Sequence, residues 1–139
     1  MDVYLTCEAL QTTEALRRLA PGKKIIGFLL GHKRGNRFFV EKIFVVPRRS
    51  WPPLEEFYDL NRLFEGKIIG FFAFGPDERI KRRLLAPFAV GKAFLEILPA
   101  RAGGQMKMSA WVIDFDGRFT FVRLPLFKEP AGPTGGGRP

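Results

Sequence analysis

Histidine is nearly missing from this chain: His32 is the only one in 139 residues. A site that needs two imidazoles cannot be assembled within one such chain, which removes most histidine-built zinc chemistry before any motif is considered. Cysteine is equally scarce, and Cys7 alone excludes an internal disulfide. Tyrosine and tryptophan number two each against fifteen phenylalanines, so most of the aromatic content reads as core filling without a polar handle. No apolar run approaches the ~18 residues a membrane span needs. The opening Met1-Asp2-Val3-Tyr4 lacks the basic start and apolar stretch of a secretory leader. The expectation is a soluble, cytoplasmic protein without a membrane partner. Acidic residues are in deficit too: 14 Asp and Glu stand against 23 Lys and Arg, a net charge of +9. That imbalance suits a polyanionic partner such as nucleic acid or an acidic protein, and equally a plain solvated basic surface.

What is present is a core. A hydrophobic share of 46% in a chain this long supports one packed domain. Residues 1–127 read as that domain, and the Pro/Gly-rich 128–139 as a flexible tail. "TCEALQTTEALRRLAPG" reads as a helix with Thr6 as N-cap and Leu10, Thr13, Leu16 and Leu19 or Ala20 inward. "KKIIGFLLG" and "RFFVEKIFVV" read as buried strands joined by a hairpin turn at Gly35-Asn36. "PLEEFYDLNRLFEG" repeats Leu54, Phe57, Leu60 and Phe64 at helical steps. "KIIGFFAF" follows as a central strand, then a short basic helix from about Asp77 to Leu85. "GKAFLEILP", "QMKMSAWVIDF" and "RFTFVRLPLF" read as the last three strands, turning at Gly103-Gly104 and Asp116-Gly117. The two "KIIGF" stretches fit neighbouring strands with the same packing demands, and Gly27, Gly31 and Gly70 fit positions where another backbone comes close. This order implies an α+β fold, a mixed, largely antiparallel sheet flanked by helices.

The same order resembles the JAB/MPN domain, the cytidine-deaminase-like fold of the JAMM zinc isopeptidases. "GFLLG", "IIGFFAFGP", the helical turn after Pro76 and the late "AWVID" carry the resemblance over about residues 5 to 125. Active members of that family end the central strand in His-x-His-Pro, place Ser-x-x-Asp on the next helix, and keep a glutamate three residues before the first strand glycine. The resemblance puts Ala73 and Gly75 where the zinc histidines stand and retains only Pro76. It puts Arg83 in place of the serine, Ala86 in place of the aspartate and Lys24 in place of the general base. A zinc hydrolase needs three protein ligands and an open position for water, and these residues supply none. The resemblance therefore implies a metal-free, cofactor-free and catalytically silent member that works by protein binding, with another MPN-like subunit, a second copy of itself or a peptide as partner.

Other chemistry has less support. His32 stands in the turn "GHKRGN", where a nucleophile partner among Cys7, Ser50 and Ser109 would be poorly preorganised. Asp77 and Glu78 fit the start of the short helix, whose dipole they complement. No phosphate loop follows any strand. Basic clusters at Lys23/Lys24, Lys33/Arg34/Arg37, Arg48/Arg49 and Arg79/Lys81/Arg82/Arg83 keep nucleic acid open as an alternative, with Trp51 and Tyr58 as the evident stacking residues. The candidate binding surface is Phe74, Arg79, Arg82, Arg83 and Trp51, beside an apolar cleft at Ala73, Phe74 and Gly75. A hydrolase with an atypical site using His32 or Asp77 is the remaining alternative.

Overall fold

A computed structural model describes residues 1–19, 22, 24–46, 54–75, 78–98 and 106–130. Its elements run β1 (Asp2–Leu5), α1 (Cys7–Leu19), β2 (Ile26–Arg34), β3 (Arg37–Val46), α2 (Leu54–Leu63), β4 (Ile68–Phe74), α3 (Glu78–Arg83), β5 (Ala93–Leu98), β6 (Lys107–Phe115), β7 (Phe119–Leu124) and β8 (Leu126–Lys128). A short 3-10 helix at Pro87–Ala89 precedes β5.

The eight strands form one sheet in the order β7-β6-β5-β4-β2-β3-β1-β8. β7 and β8 sit at its opposite ends, yet Pro125 alone separates Leu124 from Leu126. A single residue cannot bridge the width of a flat eight-stranded sheet, since strands lie about 4.8 Å apart. The sheet must therefore curl until its two ends meet at Pro125, whose carbonyl accepts a 3.0 Å hydrogen bond from the Val3 N–H in β1. The result is a nearly closed, barrel-like sheet.

Strand alternation then sorts the side chains. Val3, Leu5, Phe38, Phe72, Leu95 and Leu124 point into the curl and form an inner core, which α1 completes with Ala9, Leu10 and Leu16. Ile26, Phe28, Phe71 and Phe94 point outward beneath α2, α3 and the turn after α3, which contribute Phe57, Ile80 and Leu84. Val46 and Phe44 at the end of β3 and Phe121 of β7 also pack into this outer cluster.

The helix-flanked α+β sheet of the JAB/MPN kind is overturned by this architecture. About half of the described residues are strand, and the α-helices span only thirteen, ten and six residues. The larger core is made by the sheet curling on itself, not by layers of helix on a flat sheet. The physical reason lies at the chain ends: Asp2–Leu5 is a strand that pairs in parallel with both β3 and β8. "RFTFVRLPLF" is two strands broken at Pro125, not one.

Local expectations fare better. Thr6 caps α1, accepting the Ala9 N–H at 3.3 Å on Oγ1. Thr13 is fully buried, its hydroxyl donating to the Ala9 carbonyl at 2.8 Å. Leu19, expected inward, is 83% exposed because the helix stripe has run past the core by its last turn. β2 and β4 are hydrogen-bonded neighbours. A Cβ at Gly27, Gly31 or Gly70 would collide with the carbonyl oxygen of Phe44, Phe39 or Ala93. Lys128 pairs in β8, and Glu129 donates its N–H to the Leu5 carbonyl at 2.8 Å. Residues 131–139 of the expected tail, and Gly103-Gly104, lie outside the described residues.

Candidate functional site

The positions singled out at the end of the central strand are core. Ala73 is fully buried in the outer cluster and Phe74 is 6% exposed in the inner one. Phe74 therefore presents little surface to a partner. Gly75 holds φ at 55° and donates its N–H to the Ile97 carbonyl at 2.8 Å. The Phe74 N–H donates to the Ile25 carbonyl, so exposed Lys24 lies at the same end of the sheet. Ala86 caps the 3-10 helix in extended conformation. Pro76, Asp77, Arg48, Arg49, Ser50 and Trp51 lie outside the described residues.

A cleft does open one strand further along. It has a volume of about 530 Å³ and lies on the outer face between α3 and β5, β6 and β7. Phe94, Trp111 and Phe121 supply aromatic walls, their rings packed at 5.6 Å and 6.4 Å around Phe121. α3 and the turn after it form the edge: Ile80 and Leu84 bury, Leu85 lines the cleft, and Arg79, Arg82 and Arg83 stay exposed. Across from α3, the β6–β7 hairpin presents Arg118 and Phe119. Gly117, at φ 75°, allows that tight turn.

Charges divide by partner. Lys81 lines the cleft, but its ammonium holds the Glu96 carboxylate at 2.8 Å; that carboxylate belongs to a residue only 8% exposed. Arg82 and Arg118 have no carboxylate partner among the described residues. Arg123 lies 5.0 Å over the Trp111 ring, adding a cation behind the aromatic wall. Glu78 is the cleft's acidic member. The site thus offers an aromatic floor with guanidinium groups on two sides, which suits a ligand part apolar and part anionic.

Of the expected surface, the structure brings only Arg82 into this cleft among the described residues. Arg79 and Arg83 stand beside it on α3. Trp111, Phe121 and Arg118 went unremarked because strands distant from α3 supply them. Their signal is alternation: Trp111 with Ile113, and Phe119 with Phe121, share one strand face with Phe94.

His32 is an exposed residue of β2 whose Nδ1 lies 2.6 Å from Glu41 Oε1, and its ring stacks on Phe39 at 5.0 Å. Neither neighbour is a nucleophile. Cys7 is half-buried at the start of α1, where its N–H donates to Glu129 Oε1 at 2.9 Å. Burial first, and then the Glu129 carboxylate, push its thiol above the ordinary value, which opposes thiolate chemistry. Among the described residues no three His, Cys, Asp or Glu side chains gather as a metal site.

Comparison with known proteins adds a fold. Neither a protein-family model nor a curated protein matches this chain. The solution structure of protein DSY2949 from Desulfitobacterium hafniense is similar, with a TM-score of 0.63 at 18% identity over 91% of this chain and 94% of that one. The likeness extends over nearly the whole curled sheet. Among the described residues no helix is long and apolar enough to cross a membrane.

Proposed function

We propose that the protein acts by contact, as a binding domain whose cleft between α3 and β5–β7 takes an acidic, aromatic-bearing segment of a partner protein. One observation carries this reading: Arg82 and Arg118 face an aromatic floor without acidic partners among the described residues, while Lys81, the third cation there, is tied to Glu96. A volume of about 530 Å³ lies within the range of small-ligand sites, roughly 300–1,000 Å³. Arginine beside exposed aromatic surface is the composition that recurs at interface anchor points. The net charge of +9 speeds encounter with an acidic partner.

The test uses Trp111 as reporter in the full chain carrying Trp51→Phe. A short acetylated peptide alternating Glu and Phe is titrated against tryptophan emission, beside a counterpart with Gln for Glu. The Glu peptide quenches Trp111, the Gln peptide does so only at much higher concentration, and Arg82→Ala with Arg118→Ala erases the difference. Unchanged emission with both peptides, or equal response to them, overturns the reading.

A further inference from the structure

The side of the barrel that the helices leave bare carries a second surface, and strand register defines it. His32 of β2 stands opposite Phe39 of β3, Phe39 opposite Tyr4 of β1, and Tyr4 opposite Phe127 of β8. Four rings therefore form one row across four adjacent strands. They point away from the inner core, since their strand neighbours Val3, Leu5, Phe38 and Val40 fill it. Phe127 is 46% exposed, His32 is exposed, and Tyr4 and Phe39 are half-buried.

Arg37 sits in the middle of the row. Its guanidinium carbon lies 5.4 Å from the Tyr4 ring centre, 5.9 Å from Phe39 and 5.4 Å from Phe127. Asp2 holds it there through two hydrogen bonds of 2.8 and 3.0 Å. Two nearby carboxylates are already engaged, Asp2 by Arg37 and Glu41 by His32. The exposed cation Arg34 flanks the row on the same strand face, pairing with Arg37 across the hairpin.

We propose that this row is a platform for single-stranded nucleic acid, with bases stacking on Phe127, Tyr4 and the pinned Arg37 plane and phosphates meeting Arg34. Sheets that read single strands place aromatic rings on neighbouring strands in this way and stack two or three bases on them. A positively charged surface carrying such rings binds every base, because each has a π-face. The preset guanidinium lowers the ordering cost of binding. This surface is independent of the cleft and stands or falls without it.

The experiment is fluorescence anisotropy of labelled oligo(dT) and oligo(rU) of about 12 nucleotides, within the span such sites cover, with the full chain at low and moderate salt. Binding is expected at low salt, falling as salt rises. Phe127→Ala and Tyr4→Ala each weaken it about ten-fold, and Arg82→Ala leaves it unchanged. Phe127→Leu keeps the bulk and loses the ring, so it carries the test where an alanine variant does not fold. Absence of binding at low salt overturns the proposal. So does equal affinity of Phe127→Leu and the parent chain, or loss of binding through Arg82→Ala alone.

Discussion

Replacing Lys81 by methionine tests the division of charge at the cleft. Glu96 lies in β5 with its side chain 11% exposed, whereas the Lys81 side chain is 27% exposed. Removing the lysine leaves a carboxylate that cannot reach water by turning a rotamer. Removing the glutamate leaves an ammonium that can swing out of the cleft on its flexible stem. Breaking a fully buried pair costs about 3–5 kcal/mol. Partial exposure of Lys81 scales this down, so Lys81→Met is expected to cost about 2–3 kcal/mol and Glu96→Gln about 1 kcal/mol. The double variant Lys81→Met/Glu96→Leu is expected within about 1 kcal/mol of the parent, because no charge is then stranded. Urea unfolding reads all of them; at a slope of roughly 1–3 kcal/mol per molar, the lysine variant moves the midpoint by about 1 M or more. Losses below about 0.5 kcal/mol in both single variants would mean a solvent-screened surface pair. The argument that Lys81 is withdrawn from ligand binding would then fail.

Gly70→Ala forces a methyl group into the Ala93 backbone and should cost about 3 kcal/mol. Gly117→Ala, with open space but φ at 75°, should cost about 1 kcal/mol; equal losses on urea unfolding would refute the packing account. Hydrogen bonds from Arg37 hold the Asp2 carboxyl below its ordinary value despite partial burial. The stability this adds is present above the ordinary carboxyl range and disappears as pH falls through the lowered native value. The melting-temperature gap between the parent and Arg37→Gln should therefore be widest near neutrality and close in acid. A gap that stays constant with pH contradicts it. Glu129→Gln removes a carboxylate from Cys7, so iodoacetamide should alkylate the thiol faster at mildly alkaline pH. An unchanged rate would assign the raised thiol to burial alone.

The elements with local signals were legible in the sequence. Thr6 before an amphipathic stretch, Gly35-Asn36 between two apolar runs, and Phe57 and Ile80 at helical spacing all depend on neighbours a few residues away. The curl was not legible, because it depends on pairing between Tyr4 and Phe127, at opposite ends of the chain. Asp2–Leu5 is only four residues long and runs straight into a well-capped helix, so its alternation carries little signal. Pro125 falls inside the stretch "RFTFVRLPLF" read as one strand, although proline in a strand interior argues for a break. The cleft was half legible: α3 reveals Arg82 through its periodicity, but Trp111 and Phe121 join it only once the sheet order is known. Phe39 and Phe127 read as core filling because a count of aromatics does not show which side of a strand they face.

The meeting of β7 and β8 at Pro125 sets an order of events during synthesis. β1 is synthesised well before β8, the strand that seals its free side. Until then the nascent chain carries an open edge ready to pair with any other extended peptide. Loss of the few residues of β8 after Leu124 would uncover β1 again, so damage there should be felt first at a strand more than a hundred positions away in sequence.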